Sequence, residues 1–195
     1  MPSLKGTGDD DLPPLRLVAA RPAHAPLWHE WRSEAASQRF NPLFPLTVEE
    51  LSRRLAGYSG SDFADRRFSE FRWMVELGAE VIGTVSAMNP SWSMGYVEIG
   101  YMFGERHHGR GHGTRAVALF VEKIFRETSL HRVYATVSVE NAASLRLLQR
   151  LGFTREGVMR EHYLIQGRRV DEVIYGLLRH EWEARPFDAS AGEPQ

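Results

Sequence analysis

Residues 108–114, with the sequence HGRGHGT, place three glycines at alternate positions with basic side chains between them. An apolar strand pattern precedes this segment, and an amphipathic helix pattern follows it. Glycine lets a ligand approach the backbone without meeting a Cβ atom, and a helix N-terminus presents N–H groups and a positive dipole. The segment therefore predicts a phosphate-binding loop between a strand and a helix.

Two other chemistries for this loop are disfavoured by its residues. His108 and His112 have the spacing of metal ligands, but that spacing aligns side chains only on a helix, and glycines interrupt this one. Glu105, the nearby carboxylate, has no recognisable ligand spacing, so we predict no metal site. The loop also lacks the Gly-Lys-Ser/Thr ending that an ATP-binding P-loop requires.

The composition is that of an ordinary globular protein, since the 195 residues are 43% hydrophobic and 25% charged. With 24 basic and 25 acidic residues, the net charge of −1 does not favour binding to nucleic acid or to an anionic membrane. The chain has no apolar run long enough for a membrane span. It has no cysteine, which excludes disulfides, thiol nucleophiles and thiolate metal sites. Residues 1–14 lack a signal-peptide pattern, so we expect a cytoplasmic protein.

The hydrophobic pattern divides the chain into strands and helices. Strands are predicted at residues 15–20, 71–77, 80–88, 96–103, 132–139, 157–165 and 171–178. Helices are predicted at residues 23–37, from Thr47, at 114–127, and after Asn141 as N-cap. This order predicts an α+β sandwich in which about four helices flank a mixed central sheet of about seven strands. Residues 14–183 would form a single domain, between a disordered lead-in at 1–13 and a flexible tail at 184–195.

Two motifs carry a resemblance to a known family. The first is EIGYMF at 98–103 followed by the loop at 108–114. The second is Asn141-x-x-Ser144, then Leu-Gly-Phe at 151–153 and Glu-Gly at 156–157. Over residues 15–182 the chain resembles the GNAT superfamily of N-acetyltransferases, in particular the RimJ/RimL-like branch of ribosomal-protein N-terminal acetyltransferases. It departs from the pattern at His108, where the family usually has Gln or Arg, and at Arg115, where the branch often has Glu.

The resemblance implies that acetyl-CoA is a co-substrate bound at this loop. Its pyrophosphate would lie on the backbone N–H groups of residues 110–114, and the imidazole of His108 can also donate to a phosphate. The end of strand 96–103 would splay from strand 132–139, bind the pantetheine amides and polarise the thioester carbonyl through a backbone N–H. The implied cofactor-binding residues are Tyr101, Met102, Phe103, His108, Gly109, Arg110, Gly111, His112, Gly113, Thr114 and Asn141.

The resemblance also implies an amine-acetylating mechanism with two candidate catalytic residues. An attacking amine has to lose a proton, and Glu98, between apolar neighbours just upstream of the thioester position, is the candidate base. Ser144 is the candidate proton donor to the leaving sulfur, and Tyr163 is a second candidate. Simpler roles stay open: Glu98 as an exposed strand carboxylate, Ser144 bonding within its own helix turn, and Asn141 as a helix N-cap alone.

The implied acceptor is a primary amine, either a protein N-terminus of the ribosomal type or a small-molecule amine. The two predicted N-terminal helices and the last hairpin would surround it, and we expect an aromatic-walled pocket built from Phe40, Phe44, Trp73, Trp92 and Tyr163. The strand edges of the last hairpin would allow a homodimer, and we expect no direct contact with nucleic acid or membrane. The alternative function is a non-catalytic acyl-CoA-binding sensor or interaction domain on the same fold.

Overall fold

A mixed sheet of eight strands forms the centre of the molecule in a computed structural model that describes residues 13–57 and 59–184. The strands are β1 (Leu15–Ala19), β2 (Ser59–Gly60), β3 (Glu70–Leu77), β4 (Glu80–Ser91), β5 (Tyr96–Phe103), β6 (Arg132–Ser138), β7 (Thr154–Ile165) and β8 (Arg168–Leu178). The helices are α1 (Ala25–Ser33), α2 (Ala35–Phe40), α3 (Val48–Gly57), α4 (His112–Glu127), α5 (Ala142–Arg150) and α6 (Arg179–Glu183). Short 3-10 helices cover Pro22–His24 and Glu105–His107.

The predicted order of elements is confirmed, with local differences. The predicted helix at 23–37 is two helices, because Glu34 adopts an extended backbone between α1 and α2. Its carboxylate accepts a hydrogen bond from the Glu105 N–H at 2.9 Å, and the Glu105 carboxylate accepts one from the Ala36 N–H at 2.6 Å. The break therefore ties the N-terminal helices to the segment before the glycine loop. The short strand β2 and helix α6 were also missed, so six helices accompany the sheet in the described chain instead of about four.

The main path of the sheet runs β1-β3-β4-β5-β6-β8-β7, and β2 pairs with β3 off this path. Neighbours along the path are antiparallel except β5 and β6, which are parallel. Two parallel strands need a crossover connection, and α4 supplies it here. The glycine loop therefore lies at the carboxyl end of β5, where the chain leaves the sheet and enters α4.

Side chains alternate along each strand, so the two faces of the sheet differ in chemistry. The face that we call the α4 face is apolar. Val97 and Ile99 of β5 and Val133 of β6 pack there in the main core with Val117 and Phe120 of α4. This core supplies most of the buried apolar surface and hence most of the hydrophobic stabilisation.

The opposite face, which we call the α1 face, carries a smaller core and a buried charged cluster. Trp28 of α1 packs with residues of α3 in the smaller core, and Met102 of β5 contacts it. The Arg72 guanidinium donates to the Glu70 carboxylate and lies 4.1 Å from the centre of the Trp28 ring. Arg54 of α3 donates to the same carboxylate at 3.0 Å. Because buried charges are tolerated only when paired, this cluster fixes the position of α1 and α3 on the sheet.

Residues 1–12 and 185–195, which hold nearly all of the predicted lead-in and tail, lie outside the described residues. The domain boundaries at 14 and 183 stay a prediction. None of the helices in the described part combines the length and the apolar character that crossing a bilayer requires.

Gly83 of β4 is a position where a side chain would weaken the sheet. A Cβ atom there would lie 2.6 Å from the Met102 carbonyl oxygen and would overlap the Phe103 ring. We expect Gly83→Ala to lower the free energy of unfolding by about 1–3 kcal/mol, because β4 and β5 have to move apart. Urea denaturation measures this loss. Gly157→Ala is the matched control, since a Cβ at Gly157 meets no atom within 4 Å, and equal losses in both variants would contradict the packing argument.

Candidate active site

The glycine loop ends in the first turn of α4, which starts at His112, two residues before the predicted start. Gly111 is the N-cap of α4 and has φ 75° and ψ −9°, a left-handed conformation that glycine adopts without strain. Space is tight at Gly113, because a Cβ would lie 3.3 Å from a methyl carbon of Leu147 in α5 and that side chain would have to shift. Above Gly109 the loop is open, since a Cβ there would meet nothing within 4 Å. The loop backbone just ahead of α4 is therefore exposed at Gly109.

Positive charge and unsatisfied donors collect in the first turn of α4. Nη1 of Arg115 and Nδ1 of His112 are buried without a hydrogen-bond partner in the described part of the chain. Burial lowers the His112 pKa, and the charges of Arg115, His107 and Arg110 lower it further. An unpaired buried donor costs free energy, and an anion at the loop would supply its acceptor. The sequence analysis noted Arg115 only as a departure from the branch pattern and gave it no role.

His108 contacts the end of β5 instead of lying free over the loop. Its Nε2 atom is 2.8 Å from the Phe103 carbonyl oxygen, and because a carbonyl can only accept, Nε2 carries the proton. Nδ1 is then the atom left for a ligand, so donation from His108 to a phosphate requires the charged imidazole. The contact of His108 with a phosphate stays a prediction. Within the described residues, no group of three or more His, Asp or Glu side chains is arranged to hold a metal ion.

Strands β5 and β6 separate beside the loop, as predicted. They pair over three residues only, and the last pair is Glu98–Tyr134. Beyond this pair β5 stays bonded to β4 as far as Phe103, while β6 stays bonded to β8 as far as Ser138. A gap therefore opens between the two strands, and its backbone edges can pair with an extended amide chain as a further strand would.

On the α4 face, Tyr101 and Ser144 meet beside this gap. Their hydroxyl oxygens are 2.5 Å apart. Burial raises the pKa of Tyr101 to about 12, although the Ser144 contact opposes the shift, so the phenol keeps its proton at neutral pH. The Ser144 N–H donates to Oδ1 of Asn141 at 3.1 Å, which confirms Asn141 as the N-cap of α5. The cap fixes the first turn of α5 and with it the position of the Ser144 hydroxyl.

On the α1 face, Glu98 joins a network of hydroxyl groups. Its Oε1 atom accepts a hydrogen bond from Thr136 at 3.0 Å, and the Thr136 oxygen is 3.4 Å from the Tyr163 hydroxyl. Glu98 is half-buried, so it is not the fully exposed carboxylate of the simpler alternative. Burial raises the pKa of the neighbouring Tyr134, and the charge of Glu98 raises it further. The sequence analysis did not identify Thr136 as a partner of Glu98.

The two candidate catalytic residues therefore lie on opposite faces of the sheet. Glu98 and Met102 point to the α1 face, whereas Tyr101 and Phe103 pack against the main core on the α4 face. The side chain of Met102 thus faces away from Ser144, and only its backbone borders the gap on that side. A reacting group held in the gap can be reached by a base from one face and by a proton donor from the other.

The predicted aromatic-walled pocket does not form. Trp73 and Trp92 pack in the main core on the α4 face, away from Tyr163 and Glu98. Phe44 is 80% exposed, in the segment between α2 and α3. Strand alternation explains the error, because Trp73 pairs with Val85, and both side chains point into the main core.

Comparison with known families decides the class of the protein. The family model of the GNAT acetyltransferase domain matches residues 14–154, more than half of the chain. The chain belongs to the GNAT acetyltransferase family. The N-acetyltransferase p20 of Bacillus licheniformis is 34% identical to this acetyltransferase over 153 residues, covering 78% of this chain and 86% of the relative. The ribosomal-protein uS5-alanine N-acetyltransferase of Escherichia coli is 31% identical over 104 residues, covering 53% of this chain and 54% of its own length.

A solved structure shows that the fold of this acetyltransferase is shared. Spermidine N-acetyltransferase from Vibrio cholerae, in complex with CoA and spermine, superposes with a TM-score of 0.78 at 22% sequence identity. The match covers 87% of this chain and 98% of the other. At this identity the likeness shows the fold alone. The predicted family, fold class and class of enzyme are confirmed.

The Glu-Gly part of the second motif has a structural role in this acetyltransferase. Glu156 of β7 forms a two-pronged ion pair with Arg132 of β6. The pair passes over Gly176 of β8, where a Cβ atom would overlap both side chains. It therefore links β6 to the edge strand β7 across β8. The sequence analysis used Glu156 as a family marker and assigned it no role.

The cap of α5 makes Asn141 a test of how Ser144 is positioned. We expect Asn141→Ala to lower the free energy of unfolding by about 1 kcal/mol, because the Ser144 N–H loses its acceptor. Thermal and urea unfolding measure the change. Asn141→Asp keeps an acceptor at the same position and should retain most of the stability. If both variants lose the same free energy of unfolding, the cap hydrogen bond does not account for the loss.

Proposed function

We propose that this protein is an acetyl-CoA-dependent N-acetyltransferase that moves the acetyl group directly to a primary amine. The observation that carries the proposal is the gap between β5 and β6, with the glycine loop at its end and a carboxylate and a hydroxyl on its opposite faces. The chain has no cysteine, so the transfer does not pass through an acyl-cysteine.

The glycine loop would hold the pyrophosphate of acetyl-CoA. Backbone N–H groups from Arg110 to Thr114 surround the N-terminus of α4, and the unpaired donors of His112 and Arg115 fit two further contacts to an anion. Bound there, acetyl-CoA supplies the activated acetyl thioester. The β5 backbone between Glu98 and Phe103 would bind the pantetheine amides, and a backbone N–H of this segment would polarise the thioester carbonyl.

Glu98 and Ser144 would divide the proton transfers between the two faces of the sheet. Glu98 takes a proton from the ammonium group of the acceptor on the α1 face, and the freed nitrogen attacks the thioester carbonyl. On the α4 face, the C–S bond breaks as Ser144 donates its proton to the leaving sulfur, and the second proton of the attacking nitrogen restores the Ser144 hydroxyl, while Tyr101 stays protonated beside it. Tyr163 is on the side of Glu98, so it is better placed to serve the base than the sulfur.

The acceptor that we propose first is a protein N-terminus, and a small-molecule amine is second. The name of the E. coli relative gives a ribosomal protein as its substrate, and the V. cholerae structure contains spermine. In this chain an open groove of about 450 Å³ lies beside α1 and the start of α3, lined by residues that include Arg32, Phe44, Leu46 and Glu50. An extended peptide would use such a groove, whereas a small amine needs only the surroundings of Glu98.

A non-catalytic acyl-CoA sensor is the alternative function, and turnover distinguishes it from an enzyme. The hydroxyl and carboxylate network on both sides of the gap favours the enzyme, since binding alone requires neither Glu98 nor Ser144. A homodimer through the edge strand β7 and a cytoplasmic location stay predictions from the sequence.

Glu98→Gln separates binding from catalysis. We expect kcat to fall by about 10²-fold or more, because the amide cannot accept the ammonium proton. The dissociation constant of acetyl-CoA should stay within about twofold of the wild-type value, because Glu98 points away from Tyr101 and Ser144. Calorimetry and steady-state kinetics with an N-terminal peptide and with spermidine measure both quantities. Unchanged turnover would contradict the role of Glu98 as base.

Gly111→Trp tests the loop as the cofactor site. We expect the bulky side chain to abolish micromolar binding of acetyl-CoA, measured by calorimetry with ATP and inorganic phosphate as competing anions. Gly167→Trp, at the β7–β8 turn, is the matched control, because Gly167 has φ 78° and open surroundings and therefore imposes a similar backbone strain far from the loop. The proposed function would be overturned if the wild type does not bind acetyl-CoA, or if Gly111→Trp binds it as well as Gly167→Trp does.

A further inference from the structure

Glu172 of β8 is a buried carboxylate that the proposed mechanism does not use. Its side chain has no exposed surface, and neither oxygen accepts a hydrogen bond in the described part of the chain. A carboxylate in such surroundings costs free energy that a neutral side chain would not. Because buried polar groups are nearly always satisfied, an unsatisfied one calls for a specific explanation.

Strand pairing puts Glu172 on the same face as Glu98. Tyr134 of β6 pairs with Glu98, and Ser138, on the same face of β6 as Tyr134, pairs with Glu172. Thr136, which donates to Glu98, lies between these two positions on β6 and has the same orientation. The two carboxylates therefore lie on the α1 face, with the Thr136 hydroxyl between their strand positions.

A bulge in β7 brings two further groups to Glu172. Four residue steps on β7, from Met159 to Tyr163, match two steps on β8, and Glu161 within the bulge has φ 52°. Such bulges re-aim side chains. Nε2 of His162 lies 3.6 Å from Oε2 of Glu172, and the His162 side chain is 49% exposed. The Tyr163 hydroxyl is close enough to influence the pKa of Glu172, although the contact falls short of hydrogen-bond geometry.

Acetylation of an ammonium group releases a proton that has to leave the site. R–NH₃⁺ and acetyl-CoA give the amide R–NH–CO–CH₃, the free thiol of CoA and one H⁺. The nitrogen loses two protons and the sulfur gains one of them. In the proposed function the other proton is taken by Glu98, which has to lose it before the next turnover.

We infer that this proton passes from Glu98 through the hydroxyls of Thr136 and Tyr163 to Glu172, and reaches solvent by way of His162. The inference rests on the proposed function. Protonated Glu98 gives its proton to the Thr136 oxygen, whose own proton moves to the Tyr163 oxygen. The phenol proton then moves to Glu172. At each step one O–H bond breaks as the next forms, and the net change is the transfer of one proton.

The local electrostatics suit this route. Burial raises the pKa of Glu172 to about 7, the Tyr163 hydroxyl lowers it and the charge of Glu98 raises it again. A carboxyl group that titrates near neutral pH can both receive and release a proton during turnover. Burial raises the pKa of Tyr163 to about 12, so Tyr163 relays the proton as a neutral phenol. The titratable groups that act on Glu172 are Glu98 from β5 and His162 and Tyr163 from β7.

Because Glu172 has no exposed surface, it acts through Tyr163 and does not touch the acceptor. It is a positioning residue in the proton path, and its removal should change the pH dependence of turnover more than substrate binding.

The first test measures the titration of Glu172 without any acceptor. In the full-length protein labelled with ¹³C at glutamate carboxyl carbons, the Glu172 resonance is assigned by its loss in Glu172→Gln. We expect a midpoint near neutral pH in the wild type and a lower midpoint in Glu98→Gln, because the repelling negative charge is gone. A midpoint in the ordinary glutamate range, or one that Glu98→Gln leaves unchanged, would overturn the inference while leaving the acetyltransferase function standing.

The second test follows turnover against pH, with whichever of the N-terminal peptide and spermidine the wild type acetylates. Glu172 has to be ionised to accept the proton, so wild-type kcat should fall as pH drops through its pKa. In Glu172→Gln we expect kcat at pH 7.5 to fall by about tenfold to a hundredfold, with loss of this acid limb and an unchanged KM for acetyl-CoA. Glu172→Asp should restore part of kcat and the acid limb, because it restores a titrating carboxylate.

Glu161→Gln is the matched control, since it neutralises an exposed carboxylate on the same hairpin and should keep the wild-type profile. Glu172→Gln should melt at or above the wild-type temperature at pH 8, because a neutral amide is cheaper to bury than a carboxylate. A wild-type pH profile in Glu172→Gln would overturn the inference and assign Glu172 to the ion pair with His162. If calorimetry detects no binding of acetyl-CoA by the wild type, the proposed function is overturned instead.

Discussion

The short parallel pairing between β5 and β6 is the constraint on which the rest of the site depends. The two strands share three residue pairs, after which each follows a different antiparallel partner. Strand twist and the crossover through α4 carry the free end of β5 away from β6. If the pairing continued to the end of β5, the backbone groups of the gap would bond to each other. The glycine loop would then adjoin a closed sheet with no passage between its faces.

The gap matters because it joins two faces with different chemistry. The α4 face is apolar and holds Tyr101 and Ser144 in contact with each other. The α1 face holds paired charges, Glu98 and its hydroxyl partners. Because Glu98 and Ser144 lie on opposite faces, a reacting group held in the gap has the base on one side and the proton donor on the other.

Some buried groups stabilise the fold, whereas others lower its stability and lie where the proposed function needs them. Main-core packing on the α4 face and the Arg132–Glu156 pair across Gly176 stabilise the sheet without facing a ligand. Within the described residues, Nδ1 of His112, Nη1 of Arg115 and the carboxylate of Glu172 lack hydrogen-bond partners, which costs stability. These unsatisfied groups lie at the proposed phosphate site and along the proposed proton path. Such a distribution is typical of a protein that keeps energetically unfavourable buried groups where it binds ligands or transfers protons.

The sequence by itself determined the order of strands and helices, the glycine loop, the N-cap at Asn141 and the family. Each of these depends on residues that are neighbours in the chain, because hydrophobic periodicity and capping act over a few positions. It could not show that Glu98 and Ser144 lie on opposite faces, or that Trp73 faces the main core. Which face of a strand a given helix covers is decided by packing. The break at Glu34 depends on Glu105, a partner far along the chain. Only the tertiary structure brought Glu172, Tyr163 and Thr136 to Glu98, because sheet pairing joins residues that no local pattern connects.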